Sequence, residues 1–68
     1  VIGEAAAKAA ALKHAGLTES QVSGLVVKRD YDDSRLEYDV DFWQGSTEYE
    51  YTIDGATGAV LECQQDRH

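Results

Sequence analysis

Most of this chain is built from short runs in which apolar and polar residues alternate, and the turns between the runs are too short to hold a helix. Tyr38, Val40 and Phe42 alternate with acidic residues, and residues 49–53 repeat the pattern. Alternation with a period of two is typical of a strand that has one buried and one solvated face. Because such short turns join neighbouring strands in the antiparallel sense, the pattern predicts an antiparallel meander sheet.

Four strands can be placed by this alternation. The first run contains Leu25 and Val27, and the fourth begins near Val60, with Glu62 expected on the same face. The turns are rich in Gly, Asp and Ser, which favour tight turns, and they occupy residues 30–35, 44–46 and 54–58. The predicted apolar face consists of Leu25, Val27, Tyr38, Val40, Phe42, Tyr49, Tyr51, Ile53 and either Val60 or Leu61.

The first part of the chain has a different composition. Six of residues 4–11 are alanine, the residue with the highest helix propensity, so residues 4–15 are predicted to form a helix that ends at Gly16. A polar connector over residues 17–21 is expected to include one turn of helix capped by Thr18. The helix face expected against the sheet carries only small side chains: Ala7, Ala10, Ala11 and Ala15. The predicted fold is therefore α+β, with one N-terminal helix packed on a four-stranded antiparallel meander sheet (α-β-β-β-β).

Length and charge exclude several classes of protein. A chain of 68 residues accommodates one small domain, so residues 1–68 are expected to form a single domain, and the large enzyme scaffolds need far more chain. The formal net charge of -7 repels phosphate groups, so neither nucleic acid nor an anionic membrane surface is an expected partner. No apolar run is long enough for direct membrane insertion.

Because the chain starts at Val1 and contains no Met, we expect a fragment or processed part of a longer chain.

Three segments together resemble a known family. They read Ala-Leu-Lys-His-Ala-Gly-Leu-Thr at residues 11–18, Tyr-Asp-Val-Asp-Phe at residues 38–42, and Tyr-Glu-Tyr-Thr-Ile-Asp-Gly-Ala-Thr-Gly-Ala-Val-Leu at residues 49–61. In this order they resemble the PepSY domain, and the resemblance covers nearly the whole chain. It implies a small, mostly bacterial, secreted or cell-envelope domain. Such domains occur in the propeptides of thermolysin-like metallopeptidases, and their general role is to inhibit or regulate peptidases.

The resemblance implies action through protein–protein contacts. The family brings neither a catalytic motif nor a cofactor, so a non-catalytic domain without a cofactor is expected. Its expected partner is a protein, with a metallopeptidase as the candidate, either in the same chain or as a separate molecule. The alternative is a structural or interaction module of a cell-surface protein that has no peptidase target. The two free edges of the predicted sheet also allow a homodimer.

The polar side of the predicted sheet is strongly acidic. Its carboxylates lie on two neighbouring strands, with Glu37, Asp39 and Asp41 on the second and Glu48, Glu50 and Asp54 on the third. Like charges that stand side by side cost stability, which favours a role in binding a basic partner or a cation. The alternative is the ordinary solvated face of a one-sided sheet. A Ca²⁺ ion remains a further alternative, although the acidic turn at residues 30–34 lacks the spacing of an EF-hand loop.

Trp43 continues the alternating positions that carry the acidic side chains of the second strand, so we expect it on the polar side of the sheet. A tryptophan beside carboxylates is a good anchor for a protein partner. The predicted partner-binding residues are therefore Asp39, Asp41, Trp43, Glu48 and Glu50. The alternative for Trp43 is that the strand bends at residues 44–45 and tucks the ring over the sheet edge or the helix end.

The remaining reactive side chains do not form a recognisable catalytic or metal-binding set. Cys63, the single cysteine, cannot form an internal disulfide, and Cys63 with His14 lacks both a third orienting group and an oxyanion loop. Together with His68 these residues match no zinc spacing, so no catalytic residue and no metal ligand is predicted. Residues 64–68 are expected to form a frayed tail.

Overall fold

The helix and the four strands follow one another in the predicted order in the computed structural model, which describes residues 2–68. Helix α1 spans Glu4–Ala15, and the strands are β1 (Ser23–Asp32), β2 (Arg35–Gln44), β3 (Thr47–Asp54) and β4 (Val60–Arg67). Neighbouring strands pair antiparallel in the order β1-β2-β3-β4. The predicted α+β fold, one helix on a four-stranded meander sheet, is therefore confirmed.

Helix α1 ends where its sequence predicts. Gly16 adopts the left-handed conformation (φ 75°), and its N–H donates to the carbonyl oxygen of Lys13 at 3.1 Å. The N–H of Leu17 donates to the carbonyl oxygen of Leu12 at 3.0 Å, so this bond also caps the end of the helix. The connector then forms a short 3₁₀ helix at Glu19–Gln21, and the N–H of Thr18 donates to the side-chain oxygen of Gln21 at 2.8 Å.

The turn between β1 and β2 is tighter than predicted. Its two residues, Asp33 and Ser34, both have positive φ, which is the conformation of a type I′ hairpin turn. Because this turn matches the twist of the flanking strands, pairing continues up to Asp32 and Arg35. The segment predicted as a polar turn over residues 30–35 therefore consists mostly of strand.

The turn between β3 and β4 is held by its own polar side chains, as sequence analysis of such turns predicts. Asp54 Oδ1 accepts hydrogen bonds from the N–H groups of Ala56 at 2.7 Å and Thr57 at 3.2 Å. Gly55 N–H donates to the carbonyl oxygen of Leu36 at 2.8 Å. A Cβ at Gly55 would lie 2.7 Å from that oxygen, so the close approach of the two chains requires glycine.

The core lies between α1 and one face of the sheet. Helix α1 contributes Ala7, Ala11 and Leu12, and the sheet contributes large side chains: Tyr38, Val40, Phe42, Tyr51 and Ile53. Large sheet residues against alanines let the helix backbone lie close to the strands. The predicted apolar face is confirmed for these residues, while Leu25, Val27, Tyr49 and Val60 pack around them half-buried.

Strand β4 departs from the prediction at a β-bulge. Val60 pairs with Ile53 and Glu62 pairs with Thr52, so Leu61 is an extra residue without a partner in the register. Val60 therefore joins the core face, and Leu61 is 40% exposed. The expectation that Glu62 shares the face of Val60 is wrong, because the bulge moves Glu62 to the opposite face.

The chain end is also more ordered than predicted. Strand β4 continues to Arg67, which pairs with Thr47, so the expected frayed tail at residues 64–68 is wrong. The N–H of His68 donates to the carbonyl oxygen of Ser46 at 2.9 Å. Pairing with β3 as far as Thr47 holds this segment, and sequence composition alone did not reveal it.

Replacing Ala11 with Leu tests how closely α1 packs on the sheet. Ala11 is fully buried, so a larger side chain forces the helix outward, and we expect the unfolding free energy to fall by about 1–3 kcal/mol. Ala9→Leu adds the same side chain to the exposed side of α1 and is the control, with a change within about 0.5 kcal/mol. Urea denaturation followed by circular dichroism measures both. Equal stabilities would contradict the close packing.

Candidate functional site

The face of the sheet turned away from α1 brings all five predicted partner-binding residues together. Side chains alternate along each strand, and the strand register aligns them across the sheet. We call this surface the outer sheet face and define it by Val26, Lys28, Asp30 and Asp32 of β1, Arg35, Glu37, Asp39, Asp41 and Trp43 of β2, Glu48, Glu50, Thr52 and Asp54 of β3, and Glu62, Gln64 and Asp66 of β4.

Two neighbouring rows form the centre of the outer sheet face. In one row Lys28 lies opposite Asp39, and Asp39 lies opposite Thr52, whose hydroxyl donates to Asp39 Oδ1 at 3.4 Å. In the next row Asp41 lies opposite Glu50, and no cation separates the two carboxylates. An open cleft of about 250 Å³ runs over these rows and is lined by Lys28, Asp39, Asp41, Glu50, Tyr51, Thr52, Glu62 and Gln64.

Burial on the sheet and the charge of neighbouring carboxylates raise the pKa values of three acidic side chains on the outer sheet face. Partial burial on the sheet raises the pKa of Asp41, and the charge of Asp39 raises it further, while Lys28 opposes the effect. Burial likewise raises the pKa of Glu50, with additional contributions from Glu48 and Asp41. The pKa of Glu37 is raised in the same way, by burial first and then by neighbouring aspartates. Each ionised carboxylate would therefore be stabilised by a positive group placed over this surface.

Trp43 lies on the outer sheet face and not over the sheet edge. Strand β2 continues to Gln44 without the bend that was the alternative, and Trp43 pairs with Glu48 on β3. The ring of His68 lies 5.0 Å from the Trp43 ring, and His68 Nε2 lies 3.5 Å from Glu48 Oε1. Trp43 is half-buried as a result. Sequence analysis missed His68, because a chain end expected to fray cannot be predicted to cover a ring.

The acidic residues do not form a metal-binding cluster in the part of the chain that the structure describes. Within residues 2–68, no three His, Cys, Asp or Glu side chains converge as ligands. The acidic segment at residues 30–34 is divided between the end of β1 and the hairpin turn. Its carboxylates therefore follow the alternation of a strand, which directs successive side chains to opposite faces.

Cys63 and His14 meet at a common neighbour on the other side of the sheet. His14 Nδ1 lies 3.0 Å from the hydroxyl oxygen of Tyr51, and Tyr51 pairs with Cys63 in the strand register. Burial raises the pKa of Tyr51 well above its ordinary value, and the neighbouring Cys63 adds to the effect. Sequence analysis treated Tyr51 only as a core residue. Its hydroxyl links the end of α1 to β3 through His14.

Comparison with known proteins identifies the family. The profile described as "Peptidase propeptide and YPEB domain" (PepSY) matches residues 1–64. The chain belongs to the PepSY family. It is 38% identical over 61 residues, 90% of its length, to "Uncharacterized protein Spy1430" of Streptococcus pyogenes serotype M6. That alignment covers 47% of the streptococcal protein, so the chain spans about half the length of this curated relative. No solved structure matches the chain.

Family membership confirms the coarse part of the sequence-based interpretation. PepSY domains are generally propeptide or regulatory domains and not catalytic ones, and they occur in secreted or envelope proteins. At a general level the family suggests protein interactions with peptidases. No helix in residues 2–68 combines the length and apolar character needed to cross a membrane.

Neutralising Asp41 tests the electrostatic cost of the outer sheet face. Because burial and neighbouring carboxylates raise the pKa of Asp41 above its ordinary 3.8, the ionised side chain opposes folding at neutral pH. We expect Asp41→Asn to increase the unfolding free energy at pH 7 by about 0.2–1 kcal/mol. The gain should shrink as the pH falls through the raised pKa of the folded state and disappear below 3.8, because the carboxyl is then neutral in both the folded and the unfolded state.

Urea denaturation at pH 7 and below pH 3.8 measures this difference. Glu62→Gln is the matched control, because it removes the same charge from the outer sheet face at a position opposite Thr52 and not opposite a carboxylate. The control should change stability less than Asp41→Asn at pH 7. A gain at Asp41 that does not depend on pH would contradict the electrostatic explanation.

Proposed function

We propose that this PepSY domain regulates a peptidase in the secreted or envelope compartment by binding it through the outer sheet face. The match of the PepSY family to residues 1–64 is the observation that carries the proposal. The domain acts by occupying a surface of the peptidase and not by chemistry of its own. The partner is either a peptidase region of the same longer chain or a separate molecule.

Exposure of the outer sheet face supports its choice as the contact surface. Helix α1 covers the opposite face, and none of the described elements packs over the outer one. A flat, one-sided sheet presents a regular array of side chains to a partner without any rearrangement of the domain. In such pre-organised contacts the backbone of the interface moves little on binding.

Charge supports the same surface and defines the chemistry of the partner. Among the described residues of the outer sheet face, the cations are Lys28 and Arg35, with His68 at its rim. The net charge of the chain is -7, and the carboxylates with raised pKa values lie on this face. A basic region of the peptidase would relieve the repulsion among them and would be attracted over a long range, so binding should be sensitive to salt.

Trp43 supplies apolar area within the acidic surface. Tryptophan is enriched among the residues that dominate binding energy at protein interfaces. In this domain Trp43 lies beside Glu48 and half-covered by His68. We propose that Trp43 anchors the partner while Asp39, Asp41, Glu48 and Glu50 contribute attraction and orientation.

Inhibition of thermolysin-like metallopeptidases by the purified chain tests the proposal. We expect inhibition that weakens with rising salt, and a loss of about tenfold in affinity for the double variant Asp39→Asn/Asp41→Asn. Asparagine retains the size of aspartate and an oxygen that can accept the Thr52 hydrogen bond, so the fold should persist. The control is Glu4→Gln/Glu19→Gln, which removes two carboxylates from α1 and the 3₁₀ helix and should leave inhibition unchanged.

The possible outcomes separate the two parts of the proposal. Inhibition that resists both salt and the double variant would exclude the outer sheet face but retain peptidase regulation. Slow cleavage of the domain without inhibition, across several peptidases and at low and high salt, would contradict peptidase regulation. The interaction module without a peptidase target would then be the better description.

A further inference from the structure

Strand β1 forms one edge of the sheet, and its hairpin turn determines which backbone groups point away from β2. In a two-residue hairpin the flanking pair, here Asp32 and Arg35, is joined by backbone hydrogen bonds. Hydrogen-bonded and non-hydrogen-bonded pairs alternate along an antiparallel ladder. Every second residue of β1 therefore directs its N–H and C=O groups outward, away from the sheet: Val27, Arg29 and Tyr31.

An independent hydrogen bond supports this assignment. The carbonyl oxygen of Leu36 accepts from Gly55 N–H at 2.8 Å, so the backbone of Leu36 faces β3. Its neighbours Arg35 and Glu37 must then face β1. Glu37 pairs with Asp30, so the backbone of Asp30 also points inward, in agreement with the turn geometry.

The outward groups allow a register in which β1 is complementary to itself. Two copies related by a two-fold axis at Arg29 would pair antiparallel, with Lys28 of each copy opposite Asp30 of the other. On the core side of the sheet, Val27 would lie opposite Tyr31, which is 70% exposed in the single chain. Opposite charges and an apolar pair on directly opposed positions both stabilise an antiparallel contact.

The axis itself places two arginines opposite each other, and the fold offsets this repulsion. Arg29 Nε lies 4.0 Å from Glu4 Oε2 in the same chain. Each arginine therefore arrives with a carboxylate beside it. Around the axis the two arginines would be flanked by Glu4 of each copy, and these four side chains carry no net charge.

Other edge registers bring like acidic groups together or lack opposite charges. A two-fold axis at Asp30 would pair Lys28 with Asp32, but it would place the two Asp30 carboxylates opposite each other, and within residues 2–68 of the single chain no cation lies beside Asp30 to offset them. A two-fold axis at Tyr31 would place Asp30 opposite Asp32 of the other copy. On β4, the same alternation leaves Cys63, Gln65 and Arg67 facing outward. An axis at Cys63 or Gln65 would bring no Lys or Arg opposite an Asp or Glu.

We propose that two copies of this chain pair through β1, around an axis at Arg29, to form a continuous eight-stranded sheet. The contact is isologous, as in most homodimers. It buries one short edge and therefore predicts a weak, concentration-dependent dimer. The proposal uses the β1 edge and does not depend on peptidase regulation.

Charge exchange across the axis tests the register. Lys28→Asp places two acidic side chains opposite each other in both cross-strand pairs, and Asp30→Lys places two basic side chains opposite each other. Each variant should therefore self-associate about tenfold more weakly or worse. A mixture of the two variants restores both attractive pairs and should form a heterodimer. Sedimentation velocity over a concentration series measures all three samples, and circular dichroism verifies that each variant is folded. Two variants that self-associate like the original chain, or a folded mixture that remains monomeric, would overturn the proposal.

Amide hydrogen exchange tests the same contact without any substitution. The outward N–H groups of Val27, Arg29 and Tyr31 should exchange more slowly as the chain concentration rises, while those of Cys63 and Gln65 on β4 remain unchanged. Concentration-dependent protection on β4 alone, or on neither edge, would overturn the proposal. Because no peptidase is present, these results do not depend on whether the outer sheet face binds one.

Discussion

The packing of an alanine-surfaced helix on an aromatic sheet face is the contact on which the rest of this domain depends. Ala7 and Ala11 are fully buried against Tyr38, Phe42 and Tyr51, so the backbone of α1 lies close to the strands. A chain of this size has material for only one such layer, because it buries a limited fraction of its surface. Covering one face of the sheet with its one α-helix leaves the other face without a layer of its own.

An uncovered sheet face must be polar, but it need not be acidic. Alternating Lys and Glu across the strands would solvate the face equally well and would add attraction between neighbours. This chain instead places Asp41 opposite Glu50. The pKa values of both side chains are raised, first by burial and then by neighbouring carboxylates. The acidic face thus fits the binding role proposed for it, and the membership of the chain in the PepSY family is consistent with that proposal.

Local chemistry made most of the fold predictable, whereas contacts that depend on the register did not appear in the sequence pattern. Period-two alternation identified the buried residues of β2 and β3, and the turn at Asp54 followed from its hydrogen-bonding side chain. The bulge at Leu61 was missed, because an inserted residue shifts the faces without any change in composition. The contact of His68 with Trp43 was missed for a related reason, since it requires β4 to remain paired to its end.

The two surfaces that the fold leaves open are geometrically linked. A two-fold axis through an antiparallel edge pair stands perpendicular to the sheet, so both copies keep the outer sheet face on the same side and α1 on the other. Lys28 belongs to both surfaces, because it lies opposite Asp39 within the sheet and at the β1 edge. A β1-paired dimer would therefore present one continuous acidic surface of twice the area. A partner with repeated basic regions would bind it with avidity, because engagement of one copy raises the effective concentration at the second.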